Sequence, residues 1–169
     1  AADYPWFRFR PKRLAVSGSQ PALERDRTGR YVALWAHLDD LWLATSLDGK
    51  QWQGPINLGQ PVNSAHIEMA PRLVVDRAGR FCLAFLSDRG QLRQYATYTC
   101  WSHDLEHWSR PVLVTPAYHA DHDFIQARDG RYLLVAAENQ DGRYTNALLR
   151  TSQDLIQWDE PVDVQPAYY

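Results

Sequence analysis

The sequence predicts an all-β protein of three tandem four-stranded antiparallel repeats, and three observations carry that reading. A turn motif recurs three times. A second marker precedes it each time. The copies follow one another at about 50 residues, the length of one small four-stranded unit.

The turn motif is Ser-x-Asp-x-x-x-Trp-x-x-Pro. It runs from Ser46 through Asp48 and Trp52 to Pro55, from Ser102 through Asp104 and Trp108 to Pro111, and from Ser152 through Asp154 and Trp158 to Pro161. An Asp side chain accepts backbone N–H bonds from the residues just after it and so holds a tight turn. The Trp then buries a large ring between sheets. These residues are expected to be structural, and His103 and His107 to be exposed turn residues.

The second marker is an apolar strand ending in a glycine turn. It reads Pro21 to Tyr31 with Gly29, and Pro71 to Phe81 with Gly79. The third copy, Asp123 to Tyr132 with Gly130, reads as one residue shorter.

Each repeat resolves into four strands. In the second, strand A covers about 71–76, and Asp76-Arg77-Ala78-Gly79 turns it with Gly supplying the positive φ. Strand B covers about 80–86, Ser87-Asp88-Arg89-Gly90 turns again, and strand C covers about 94–101. Strand D opens on Pro111, a place where a missing N–H is tolerated. Four short strands per period is the pattern of a β-propeller blade, with strand A innermost. The expected blades are about 21–58, 71–114 and 123–164, in one partial propeller domain spanning 1–169. Residues 11–16 look like strand D of a preceding blade. Propellers take four to eight blades. Three blades and a stray strand are therefore expected to be part of a longer chain or to close as a homo-oligomer, most simply a dimer.

Composition narrows the function classes. The formal net charge of −2 offers no basic field for nucleic acid. No apolar run approaches the roughly 20 residues that cross a bilayer as a helix. The first residues show no apolar signal region. Cys82 and Cys100 fall on adjacent strands of one repeat; a bridge is open to them, but two buried free thiols are the favoured reading. There is no Gly-rich phosphate loop, Cys-x-x-Cys pair or Gly-x-Ser-x-Gly elbow.

The turn motif resembles the Asp-box (BNR) repeat of sialidase-like β-propellers, whose usual form is Ser-x-Asp-x-Gly-x-x-Trp. Here the step from Ser to Trp is one residue shorter, and Gly49 comes one place early. The short form, as in Ser102 to Trp108, is also similar to a repeat of five-bladed propeller glycosidases such as arabinanases and fructosidases. The resemblance covers about 150 residues and is specific for fold rather than for chemistry. It implies a carbohydrate-directed propeller related to glycoside hydrolases, in a periplasmic or extracellular setting, with a glycan as ligand. The alternative is a non-catalytic glycan-binding or protein-interaction scaffold.

In those families the ligand lies where the D-to-A connections meet the channel. Here these are about 59–71, with His66, Glu68 and Arg72 at its end, and about 115–124, with His119, Asp121, His122 and Asp123. Paired carboxylates hydrolyse a glycosidic bond, one as acid and one as base or nucleophile. The candidate pair is Glu68 with Asp121 or Asp123. Arg72, His66, His119 and His122 are candidate substrate-binding residues, Arg72 for a substrate carboxylate or for orienting a catalytic one. No cofactor is expected. A divalent metal on His119, Asp121, His122 and Asp123 is the less favoured reading, and the bland one is solvated loop side chains. A sialidase would also need several arginines and a tyrosine nucleophile backed by a glutamate. Arg8 and Arg10 in Phe7-Arg8-Phe9-Arg10-Pro11 do not match that family's Arg-Ile-Pro signature.

Overall fold

The computed structural model describes residues 18–115, 119–140 and 143–164. They form three four-stranded antiparallel sheets and, among the described residues, no helix. The first sheet holds β1 (Ser19–Arg25), β2 (Tyr31–His37), β3 (Asp40–Ser46) and β4 (Gln53–Asn57). The second holds β5 (Glu68–Val75), β6 (Phe81–Ser87), β7 (Ala96–Ser102) and β8 (Val112–Leu113). The third holds β9 (His119–Gln126), β10 (Tyr132–Gln140), β11 (Arg143–Ser152) and β12 (Val162–Asp163). Each sheet pairs its strands in chain order, and the first strands touch one another, β1 against β5 and β5 against β9. Three sheets radiating from adjacent first strands are three blades of a β-propeller.

The middle strands explain the stacking. In β2 five consecutive residues, Val32 to Ala36, are buried, and β6 is buried along its whole length. A strand buried on both faces needs a neighbour on each. Val32, Leu34, Leu41 and Leu43 of blade one meet Leu73, Leu83, Phe85 and Tyr98 of blade two in one cluster. Cys82 and Ala84 of blade two meet Phe124, Tyr132 and Leu134 of blade three in a second. A third, smaller cluster, Ala33, Trp35 and Ala44 with Trp42 and Trp52 against it, lies on the other face of blade one.

The Ser-x-Asp turns have the expected mechanics. Asp48 Oδ1 accepts Lys50 N and Gln51 N, both at 2.8 Å. Asp104 Oδ1 accepts Glu106 N and His107 N, and Asp154 Oδ1 accepts Ile156 N and Gln157 N, all at 2.8 Å. The serine Oγ accepts the N–H of the third residue on, which is Gly49, Leu105 or Leu155. That residue is left-handed in every copy, with φ of 70°, 72° and 68°. A non-Gly residue there costs about 1–2 kcal/mol, which is offset because Leu105 and Leu155 are buried and plug the seam with the preceding blade. The tryptophans hold equivalent places with unequal burial: Trp108 is buried, Trp52 and Trp158 half-buried. Trp52 and Trp108 donate Nε1–H to the carbonyl of the left-handed residue, at 3.3 and 3.2 Å, whereas Trp158 Nε1 is buried without a partner. His103 and His107 are exposed.

Several details differ from expectation. The inner strands begin earlier, β5 at Glu68 because a bulge carries pairing past Pro71, and β9 at His119 because His122 and Asp121 pair in register and a bulge lies only beyond them. The third copy of the second marker is not shorter. Gln126 pairs with Tyr132 as Val75 pairs with Phe81, so Ala127 stands where Asp76 stands, and the marker begins at His122 in the place of Pro71. Pro55 lies inside β4, a strand at the edge of its sheet, rather than opening it. Strand C of blade two starts at Ala96. The strand expected at 11–16, and Arg8 and Arg10, lie outside the described residues.

Both cysteines are free and buried. Cys82 pairs in register with Trp101 and Leu83 with Cys100, so strand alternation sends the two thiols to opposite faces of blade two. Burial pushes Cys82 up to about 12 and Cys100 further up.

A polar clamp joins blades two and three. Tyr132 Oη donates to Asp76 Oδ2 at 2.7 Å, and Arg80 donates to the same oxygen at 2.8 Å and to Tyr132 Oη at 2.8 Å. Between blades one and two Phe81 occupies the tyrosine's place, and Arg30 lies over its ring at 5.5 Å.

Candidate functional site

The inner strands carry a bulge just inside the end where the D-to-A and B-to-C connections gather. Pairing slips between Ser19 and Ala22 in β1, between Met69 and Arg72 in β5, and nearer the strand start, between His119 and Asp121, in β9. Gln20 and Ala70 sit there at φ of 53° and 51°. Bulges and left-handed non-Gly residues re-aim side chains and concentrate at functional sites. Gln20 Oε1 accepts Ala70 N at 2.8 Å, tying the two strands together, and Glu68 N donates to Asp39 O at 2.7 Å. Above these contacts lies a cleft of about 290 Å³ lined by Gln20, His37, Asp39, Glu68 and Met69.

Glu68 is fully buried and its carboxylate is occupied. Oε1 accepts from Ser64 Oγ at 2.7 Å, Ser87 Oγ at 2.9 Å and Arg89 at 2.9 Å, and Oε2 accepts Ser64 N at 3.1 Å. Arg89 also donates to the carbonyls of Pro61 and Val62 and lies over Phe85 and Tyr98 at 5.1 and 5.2 Å. The Glu68–Arg89 pair therefore pins the connection at 61–64 to the end of β6. Beside it, Asp88 accepts Ile67 N at 3.0 Å and Arg93 N at 2.8 Å, with His66 Nδ1 at 3.6 Å. Burial pushes the Asp88 carboxyl up, but those N–H donors and His66 outweigh it, and the net position is below the usual range.

Arg72 and Asp123 face each other across the inner strands. Arg72 pairs with Ala84 and Asp123 with Val135, as Ala22 pairs with Leu34, so all three hold the same blade position. Arg72 Nε lies 3.8 Å from Asp123 Oδ1, with the side chains 40% and 72% exposed. Asp121 is also exposed.

His122 is 5% exposed, and neither ring nitrogen has a hydrogen-bond partner. Burial pushes it down to about 4. The Ala84 backbone, beside the ring but outside hydrogen-bonding geometry, and Asp123 and Asp121 pull weakly upward, while Arg72 adds to the fall.

Of the sequence-predicted residues, the structure brings Arg72 to Asp123 and sets His66 beside Asp88. Glu68 is committed to Arg89, Ser64 and Ser87. His119 opens β9 opposite Glu138, and its side chain lies outside the described part. Except for His66, these candidates stand on strands rather than in connections. Alternation puts His122 on the face opposite Asp121 and Asp123, so these three do not converge on one ion. Among the described residues no group of three His, Cys, Asp or Glu is placed to hold a metal. Ser87, Asp88 and Arg89 read from the sequence only as turn residues, because Ser and Asp are ordinary turn formers and nothing local marks their contacts with Glu68 and Ile67.

No family model and no curated protein matches the sequence. Solved structures do match the fold. A Hadza microbial sialidase superposes with a TM-score of 0.65 at 22% identity, over 85% of this chain and 33% of that one. The α-L-arabinanase of Penicillium chrysogenum, complexed with arabinobiose, gives 0.70 at 16% identity, over 89% and 51%. The GH93 α-L-arabinofuranosidase of Fusarium graminearum, also with arabinobiose, gives 0.68 at 15%, over 90% and 50%. The chain thus spans between a third and about half of the length of these structures. At such identities the likeness is one of fold.

Proposed function

We propose that this chain is a carbohydrate-directed propeller whose ligand lies over the inner strands of blades two and three, where Arg72 and Asp123 contact it. The observation that carries the reading is that pair: a cation and a carboxylate at one blade position, 3.8 Å apart and both open to solvent. Sugars are held by a few fixed polar groups at the mouth of a rigid frame. A loosely closed ion pair offers donors and acceptors to vicinal hydroxyls at little desolvation cost. The fold neighbours named for arabinose-containing and sialylated glycans supply the first probes.

The arrangement supports binding better than hydrolysis by Glu68. The Glu68 carboxylate is buried and engaged by Ser64, Ser87 and Arg89, so it is not presented to a sugar at hydrogen-bonding reach. Glu68 acts instead as a positioning residue for the connection at 61–64. A hydrolase reading rests instead on Asp121 and Asp123, two exposed carboxylates on one strand face.

Calorimetric titration with arabinobiose, xylobiose and sialyllactose tests the first reading. Wild type is expected to bind one of them, and Arg72→Ala and Asp123→Asn to weaken it at least ~10-fold, about 1.4 kcal/mol. Absence of binding to all three at millimolar sugar overturns it. Aryl-glycoside turnover that vanishes in Asp121→Asn or Asp123→Asn establishes the hydrolase; no turnover by wild type leaves a binding module.

A further inference from the structure

The second blade stacks three side chains beside its C-to-D turn. Arg80, held by Asp76 at 2.8 Å, lies over the Trp101 ring at 5.2 Å. His103 meets the same ring edge-on, also at 5.2 Å. The indole thus sits between a guanidinium and the residue that follows the motif serine.

Blade one repeats the outer members of this stack and omits the middle one. Arg30 is held by Asp26 at 2.9 Å, four residues back as in blade two, and Leu47 stands where His103 stands. Register equates Thr45 with Trp101, because Val32 pairs with Thr45 as Cys82 pairs with Trp101. In place of the indole there is a hollow of about 500 Å³, lined in part by Arg30, Thr45, Leu47, Gln51 and Gln53. Thr45 shares its strand face with Leu41 and Leu43, which pack into the seam with blade two, so the hollow does not belong to an end face of the chain. Blade three does not assemble the stack: Thr151 donates its hydroxyl to Asp159, and Arg131 is held by Asp129.

We propose that this hollow binds a flat aromatic ring of indole size, stacked on Arg30 and covered by Leu47, in the place that Trp101 fills in blade two. Three kinds of contact select such a ligand. The guanidinium attracts the electron-rich face of the ring. Leu47, 79% exposed without a ligand, gains apolar contact. Gln51 and Gln53 at the rim offer amide oxygens to a ring N–H. The A-to-B and C-to-D turns lie at the end of the blades away from the D-to-A connections. The site is therefore separate from Arg72 and Asp123 and independent of the glycan reading.

Ligand-observed saturation-transfer NMR and calorimetry on the full chain test this with two probes. Indole stands for a free ring, and N-acetyltryptophanamide for a ring carried on a peptide backbone. At least one should bind with a Kd of about 1 mM or below, the range open to a ligand of about ten heavy atoms. The tighter of the two assigns the source of the ring. Thr45→Trp supplies the missing indole from the chain itself and should abolish binding. Leu47→Asp, at a residue already open to solvent, keeps the fold and should weaken binding at least ~5-fold. Adding Trp101→Thr to Thr45→Trp opens the matching gap in blade two and should restore binding. Failure of wild type to bind either probe at about 10 mM overturns the proposal. So does binding that Thr45→Trp or Leu47→Asp leaves unchanged, and so does a folded double variant that does not recover it.

Discussion

His122 should make this protein acid-sensitive in a measurable window. Its ordinary value of 6.5 falls to about 4 in the fold because the ring is buried and unpartnered between blades two and three. Protons therefore bind the unfolded chain first. The contribution to stability is whole above pH 6.5 and declines as pH falls toward 4, where the folded ring also protonates. A tenfold difference in proton affinity between the folded and unfolded chain is worth about 1.36 kcal/mol, so the loss over this window is about 3 kcal/mol. Urea unfolding followed by tryptophan fluorescence at pH 7.5, 5.5 and 4 reads it directly. His122→Leu keeps the bulk and removes the charge. It should be at least as stable as wild type at pH 7.5, since it no longer buries an unsatisfied polar group. It should lose about 3 kcal/mol less on going to pH 4. The depressed carboxylates, Asp76 and Asp88 among them, titrate below 3.8 and are common to both proteins, so they cancel in the difference. Parallel pH profiles for the two proteins would show that the ring finds a partner in solution and would refute the reasoning.

Three further outcomes follow from the packing. Arg89→Met strands the Glu68 carboxylate in a buried site and should cost about 3–5 kcal/mol in chemical denaturation, while the double change with Glu68→Gln should recover part of it. Tyr132→Phe removes the hydroxyl shared by Asp76 and Arg80 and should cost about 1–3 kcal/mol, read as a lower urea midpoint at unchanged slope. Trp108→Ala empties a buried site and should cost about 3–5 kcal/mol; Trp52→Ala, half-buried at the equivalent place, should cost clearly less in the same assay.

The blades are legible because each turn needs particular side chains at particular spacings. Ser46, Asp48 and Trp52 announce one C-to-D turn, and Gly79 announces one A-to-B turn. Strand limits are less legible, because proline at 71 reads as an opening when a bulge carries pairing past it to Glu68. The third marker looks short for a related reason: His122 fills a proline's place and Ala127 an aspartate's, so identity hides the register. The site residues can be found by type but not by surroundings. Glu68 stands out as a carboxylate near a connection, but its partner Arg89 is 21 residues away, just past the end of the neighbouring strand, and no local pattern announces that pairing. Arg72 and Asp123 come together only because neighbouring blades set equivalent positions side by side.

The opposite aim of the two thiols in blade two turns them into a matched set of native reporters. Cys100 is sealed in the seam with blade one, and Cys82 in the seam with blade three. Both resist ionisation while buried, so an alkylating reagent reacts with either only when its own seam parts. Pulsed labelling under mild denaturant, read by peptide mass, therefore times the separation of each pair of blades independently in the unmodified chain. Equal labelling rates would mean that the three blades come apart in one cooperative step, and unequal rates would say which neighbour leaves first.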